Sequence, residues 1–346
     1  MSGPIPTLDA AAAAEVQRRL DAKTKPTGSL GRLEELAVSL AAMSGRLDAA
    51  FNGKVVLVAA ADHGVVRQGV SLYPAEVTPQ MVLNFLRGGA AINVLARRSG
   101  ARVVVADAGV NYGGFPAHPD LLALSMGRGT ADISQGPAMG RDQARDCVQR
   151  GRDAVAQLAS GGMDLLAVGE MGIGNTTPSA ALSACLLGLD AEAVTGRGTG
   201  LESEAWQRKV ATVRRALAAN APEPADALDC LAKVGGFEIG LLAGAMLEAA
   251  ERRIPVVLDG FITGAAALVA CGIDPDVKGY LLASHQSRES GHRHQLERLG
   301  LRPYLNLDLR LGEGSGAALF LPLVDTAAAI LEGMATFESA GVSDKA

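Results

Sequence analysis

Aromatic residues are scarce in this sequence: Phe, Trp and Tyr make up 3% of 346 residues, with one tryptophan. Any packed interior must therefore be built from Ala, Val, Leu and Ile. Lys/Arg-rich blocks are missing too, and the net charge is −5 with a pI of about 5.6. Without a basic stripe the chain does not read as a nucleic-acid or membrane-surface binder, so an anionic ligand is expected to be small and held locally. The four cysteines, Cys147, Cys185, Cys230 and Cys271, lie far apart and form no CxxC pair. They read as buried free thiols rather than disulfide or zinc ligands. No basic segment precedes an apolar one at the N-terminus, and no apolar run approaches the roughly 20 residues that span a bilayer. A soluble, cytosolic protein with no membrane partner is expected.

Hydrophobic residues are not lacking: they make up 48%, against 20% charged residues, and the mean hydropathy is +0.19. That balance supports a sizeable core and excludes a disordered chain. The length suits one large α/β domain, alone or with a small satellite. Glycine is abundant, at 42 residues, and clusters in a few short loops, as expected where backbone approaches a ligand closely.

The first fifty residues carry helical spacing over Ala10–Leu20 and Leu30–Met43, separated by the turn-rich Lys25-Pro-Thr-Gly-Ser-Leu-Gly31. Ser29 is placed to cap the second helix. The rhythm then changes to short, continuous apolar runs, each ending in a polar or glycine cluster. Val55–Ala61 leads into Asp62-His63-Gly64, Val103–Ala106 into Asp107, and Leu165–Val168 into Gly169-Glu170. Pro255–Leu258 leads into Asp259-Gly260, and Tyr280–Ala283 into Ser284-His285-Gln286. Runs of this length without alternation fit strands buried on both faces. Helices are predicted between them over Pro79–Ser99, Gly140–Ser160, Thr177–Leu187, Leu201–Ala219, Gly240–Arg252 and Gly264–Ala270. Alternating strand and helix predicts a doubly wound parallel α/β sheet. Ligands of such sheets bind beyond the carboxyl ends of the strands, where these acids and histidines fall. Strand ends also need turns, and Asp and Gly make turns; that explains one or two clusters better than five.

Three glycine-rich segments carry the chemistry. Gly169-Glu-Met-Gly-Ile-Gly-Asn-Thr-Thr177 lies between a strand and a helix. It can turn N–H groups and a helix N-terminus towards an anion, with Thr176 and Thr177 in reach, or it can be a tight structural turn. It is neither a Walker A loop nor a dinucleotide fingerprint. Glu170 is misplaced beside a phosphate but suits a ribose hydroxyl or a cationic ring. Thr195-Gly-Arg-Gly-Thr-Gly200 is a second loop before a helix, followed by Lys209 as a possible point charge. In Leu311-Gly-Glu-Gly-Ser-Gly316 a single carboxylate, Glu313, stands among glycines. It is either an exposed loop acid or a general base whose pKa is raised in a partly apolar pocket. Ser71–Gln80 reads as a pocket wall. His285, His292 and His294 match no zinc spacing, so no metal is expected. No nucleophile elbow is visible.

Together with Ala61-Asp-His-Gly-Val65, Gly235-Gly-Phe-Glu-Ile-Gly240, Leu258-Asp-Gly-Phe-Ile262 and Ser284-His-Gln286, these motifs resemble those of nicotinate-nucleotide–dimethylbenzimidazole phosphoribosyltransferases. The match runs in order from about residue 20 to residue 330. The resemblance implies a Rossmann-like parallel sheet, residues 51–319, with a small helical domain formed by 1–50 and 320–346, in a homodimer without a cofactor. It implies that Glu313 is the catalytic base and Glu170 the acid on the nucleotide side. It places the phosphate on Gly172, Ile173, Gly174, Asn175, Thr176 and Thr177, on Gly198 and Gly200, and on Lys209. Gln80, Asp259 and Ser287 are the other substrate-binding positions it implies. The substrates would be nicotinate mononucleotide and a benzimidazole-type base. A hydrolase or phosphorylase sharing the phosphate loops, and a nucleotide-binding regulator without chemistry, remain as alternatives.

Overall fold

The computed structural model describes residues 3–197 and 202–343. Six strands form one parallel sheet: β1 (Lys54–Ala61), β2 (Arg102–Gly109), β3 (Leu121–Ala123), β4 (Leu165–Met171), β5 (Val256–Leu258) and β6 (Leu281–Ala283). Their order is β3-β2-β1-β4-β5-β6. The chain winds outward from β1 in one direction and from β4 in the other, so the two halves meet between those strands, where α/β sheets open a crevice. Every residue of β1 is buried, as its continuous Val/Ala/Leu run requires. The five predicted strands are present. The short β3 lies in the apolar Leu121–Leu124 stretch, which does not end in an acid or histidine cluster and is not among the predicted strands; it is exposed at Ala123 and pairs with β2 through only Leu121–Ala123.

Register brings the polar strand ends to one level. Ala59 lies opposite Glu170 across β1 and β4, and Ala60 opposite Asp107 across β1 and β2. Helices cover both faces. Arg141–Ser160 and Phe237–Glu251 cross so closely that a Cβ on Gly151 would lie 1.9 Å from the Leu241 carbonyl. The expected helix Pro79–Ser99 is two helices, Val77–Leu86 and Ala91–Arg98. The break falls at Gly88, whose φ of +76° no continuing helix accommodates.

The N-terminal helices Ala10–Asp21 and Arg32–Ser44 pack on each other and on the C-terminal helix Ser315–Gly333. Ser29 does not cap the second of them. That helix starts after Gly31, at φ +52° and without a side-chain cap; Glu34 instead accepts the Leu30 N–H at 2.8 Å and pairs with buried Lys25 at 2.8 Å. Ser315–Gly333 is, by length and composition, long and apolar enough to cross a membrane, although its sequence does not stand out as such a run. Half of it is buried against the core, Pro322 interrupts it, and Asp325 pairs with Lys54 at 2.6 Å. Three of the cysteines are buried and Cys271 is partly so, all four as free thiols, but Cys185 and Cys230 meet at 3.2 Å despite their separation in sequence.

Candidate active site

A cavity of about 380 Å³ opens at the carboxyl ends of β4, β5 and β6. The loop after β4 forms one side. Close packing dictates its glycines: a Cβ on Gly172 would lie 2.5 Å from the Ala61 carbonyl, and Gly174 has a φ of +85°. Ile173 donates its N–H to Thr78 Oγ1 at 3.0 Å, fastening the loop to the helix Val77–Leu86. Asn175 and Thr176 then start the helix Thr176–Leu187, and both line the cavity at the N-terminal end of that helix.

Lys209 reaches this loop from the helix Ser203–Asn220. It is fully buried, and its Nζ donates to Thr176 Oγ1 at 2.8 Å and to the Gly196 carbonyl at 3.3 Å. Burial pulls its pKa down to about 8, with the charge of Glu289 opposing. A buried ammonium beside a helix N-terminus has the charge to suit an anion.

Glu170, at the end of β4, is buried and accepts a hydrogen bond from Asn175 Nδ2. Burial pushes its pKa up to about 8, and the charges of Asp259, Glu238 and Glu313 add to the shift. Glu313 stands opposite, in a turn where Gly312, Glu313 and Gly314 all have positive φ, of +87°, +63° and +88°. The glycine in β4 has its reason here: a Cβ on Gly169 would lie 2.5 Å from the Glu313 carbonyl carbon. The Glu313 carboxyl, raised in pKa by burial, accepts the Ile92 N–H at 3.4 Å. Asp259 lies beneath, its carboxylate occupied by the N–H groups of Gly314 (3.2 Å), Gly316 (2.7 Å) and Ala317 (3.1 Å). Its pKa, pushed up to about 7, reflects burial against those bonds.

Of the sequence-predicted positions, Glu170, Gly172, Ile173, Gly174, Asn175, Thr176, Lys209, Asp259, Ser287 and Glu313 all line this one cavity. Thr177 is fully buried behind it. Gly198 and Gly200 lie outside the described residues. Gln80 departs from the group: it is exposed and lines a separate pocket with Asp62, Asn111 and Tyr112, on another flank of the helix whose Val77 and Met81 face the cavity. His285, Glu289, Arg197 and Arg310 also line the cavity. Sequence reasoning places His285 at a strand end and in a family motif and weighs it as a metal ligand without giving it a substrate role, and it assigns no role to the others, because isolated polar residues in loops carry no spacing signal. Among the described residues no group of three or more His, Cys, Asp or Glu side chains is arranged to hold a metal.

A family model described as "Phosphoribosyltransferase" matches residues 5–342. The nicotinate-nucleotide–dimethylbenzimidazole phosphoribosyltransferase of Chloroflexus aggregans is 54% identical over 338 residues, 98% of this chain and 96% of that one. The protein of the same name from Geobacter sulfurreducens is 52% identical over 337 residues, 97% and 96% of the two chains. A crystal structure of such a phosphoribosyltransferase from Thermus thermophilus superposes with a TM-score of 0.92 at 51% identity, covering 98% of this chain and all of that one. With the parallel sheet, the glycine cradle and the Glu313 turn in place, these likenesses over nearly the full length show that the chain belongs to the nicotinate-nucleotide–dimethylbenzimidazole phosphoribosyltransferase family.

Proposed function

We propose that the protein transfers the phosphoribosyl group of nicotinate mononucleotide to 5,6-dimethylbenzimidazole, releasing nicotinate and forming α-ribazole 5'-phosphate in cobalamin nucleotide-loop assembly. The observation that carries this reading is one cavity lined both by the buried Lys209 ammonium with Thr176 at a helix start, a pair suited to a phosphate, and by a glycine-flanked carboxylate, Glu313.

The pyridinium of the nucleotide is already a good leaving group at the anomeric carbon. As one benzimidazole nitrogen attacks that carbon, the C–N bond to nicotinate breaks and its electron pair neutralises the pyridinium. The other benzimidazole nitrogen sheds its proton, which Glu313 takes; otherwise the product would carry a cationic base. A carboxyl with a raised pKa is suited to that transfer near neutral pH. Attack opposite the leaving group inverts the centre. Glu170 faces the nucleotide side, and the fixed phosphate positions the ribose, so proximity supplies most of the acceleration. Gly198 and Gly200 would serve the phosphate and Ser287 the binding shell, while Asp259 holds the turn that carries Glu313. The working form we propose is a cytosolic homodimer, with residues 1–50 and 320–346 as its small domain and residues 51–319 as its catalytic domain.

The test is mass spectrometry of reactions containing nicotinate mononucleotide and 5,6-dimethylbenzimidazole. Wild type is expected to release nicotinate and form a new ribotide, and Glu313→Gln to form neither. Nicotinate release without the base would mean a hydrolase, and no turnover with any base would leave a binding protein.

A further inference from the structure

His285 follows β6 and is buried to 3% exposure, yet it lines the cavity beside Asp259 and Glu313. Its neighbours fix both its orientation and its tautomer. Gly316 packs flat against the ring, where a Cβ would lie 2.0 Å from Nδ1. Nδ1 is 3.0 Å from the Ser284 hydroxyl. That hydroxyl has one proton, and its oxygen lies 2.6 Å from the Leu258 carbonyl oxygen. Two oxygens so close need a hydrogen between them, so the Ser284 proton belongs to Leu258. Towards His285 the serine oxygen therefore accepts, and Nδ1 carries the ring hydrogen. The Asp259 carboxylate, 3.9 Å from Nδ1, is too far to compete and is engaged by three backbone N–H groups.

The other ring nitrogen, Nε2, is then unprotonated. Among the described residues it has no hydrogen-bond partner, and the ring edge that bears it passes beside Gly260, itself a cavity residue, which brings no side chain to cover it. Burial lowers the pKa of His285 to about 4, so the ring stays neutral through the working range. Glu313 and Asp259 are the nearby acids, and buried His292 stands behind the ring, 6.1 Å away between centroids.

We propose that His285 is a substrate-binding residue whose Nε2 accepts a hydrogen bond from a ribose hydroxyl of the phosphoribosyl substrate. The inference rests on the transferase reading above. A neutral acceptor suits that position: a further carboxylate beside Glu170, Asp259 and Glu313 would add like charge, whereas imidazole accepts without charge. Choosing a hydroxyl of the ribose over the N–H of the incoming base follows from Glu313, which already serves that N–H.

The test is a set of double-mutant cycles between residue and substrate, with wild type, His285→Phe and His285→Gln each assayed on nicotinate mononucleotide and on its 2'-deoxy and 3'-deoxy analogues. Binding of the same three nucleotides is measured by calorimetry alongside turnover, which keeps the two failures apart. Absence of turnover by wild type sinks the transferase reading, while the binding cycles still decide the role of His285. His285→Phe is expected to weaken the natural nucleotide about 10-fold, the worth of one buried hydrogen bond. It should leave one deoxy analogue unaffected, and His285→Gln, which keeps an acceptor, should recover most of the loss. The inference is overturned if His285→Phe weakens all three nucleotides equally, if it changes none, or if the loss appears only in KM for the base.

Discussion

Asp259 Oδ1 accepts the Gly316 N–H at 2.7 Å, and through Gly314 and Ala317 the same carboxylate closes the turn that carries Glu313. Sequence similarity places Asp259 among substrate contacts; in the fold its oxygens are used by the backbone. Glu313 sits at φ +63°, a conformation that costs a non-glycine residue about 1 kcal/mol or more. Asp259 is what offsets that cost. Asn in its place keeps one acceptor and turns a donor towards a donor. Asp259→Asn is therefore expected to lower kcat about 100-fold, the scale of an ångström-sized misplacement, with KM for the nucleotide little changed. Unchanged kcat in a folded variant would show that the turn holds itself.

Glu170 links the site to stability. Its carboxyl titrates near 8 in the fold against an ordinary value of 4.5, chiefly through burial. Between those values the folded chain holds a proton that the unfolded chain has lost. Stability therefore falls as pH rises from about 4.5 to about 8, and the penalty is constant above. Glu170→Gln removes the charge and keeps an acceptor for Asn175. It should raise thermal stability at pH 8 by on the order of 2 kcal/mol and hardly at all at pH 5, while lowering activity. Equal stabilisation at both pH values would mean that Glu170 titrates normally.

How much of this was legible beforehand depends on how local each signal was. The β1 and β4 runs announced themselves because both faces of those strands are buried. β3 did not, because it is three residues long at the sheet edge. The glycine loops and Glu313 were visible as motifs, and the reason for Gly169 was not: it is contact with a turn more than 140 residues away in the chain. Gln80 shows the limit in the other direction. A residue next to cavity-facing Val77 and Met81 in sequence lines another pocket, because it sits on the flank of the helix that it shares with Glu76 and Leu83.

Lys209 gives a pH effect of opposite origin. Burial lowers its pKa to about 8. A phosphate beside it favours the ammonium, so affinity for the nucleotide is full below that value and declines above it. The kcat/KM for nicotinate mononucleotide should fall on the alkaline side of about pH 8. Lys209→Met should lower kcat/KM at pH 7 by about 10- to 100-fold and flatten that limb. A limb that persists unchanged in Lys209→Met would belong to Glu170, which titrates in the same range.

The crossing of helices Arg141–Ser160 and Phe237–Glu251 makes a prediction about the scaffold alone. Gly244 packs against the backbone of the facing helix so tightly that a Cβ would lie 1.8 Å from the Val148 carbonyl oxygen, and Gly151 meets the Leu241 carbonyl in the same way from the other side. No flexible side chain is involved, so nothing can move aside except the helix itself. Separating two helices packed this closely forfeits dispersion contacts along the whole crossing. Gly244→Ala is expected to destabilise the fold by about 2–3 kcal/mol despite the better helix propensity of alanine, which is worth at most about 1 kcal/mol in the opposite direction. The crossing lies away from the cavity, so kcat per folded molecule should stay near the wild-type value below the lowered melting point. Gly136, around which a Cβ would meet nothing, is the control: Gly136→Ala should be neutral or slightly stabilising. Thermal unfolding of the two variants side by side decides the matter, since equal melting points would mean that the crossing has slack that its glycines do not need.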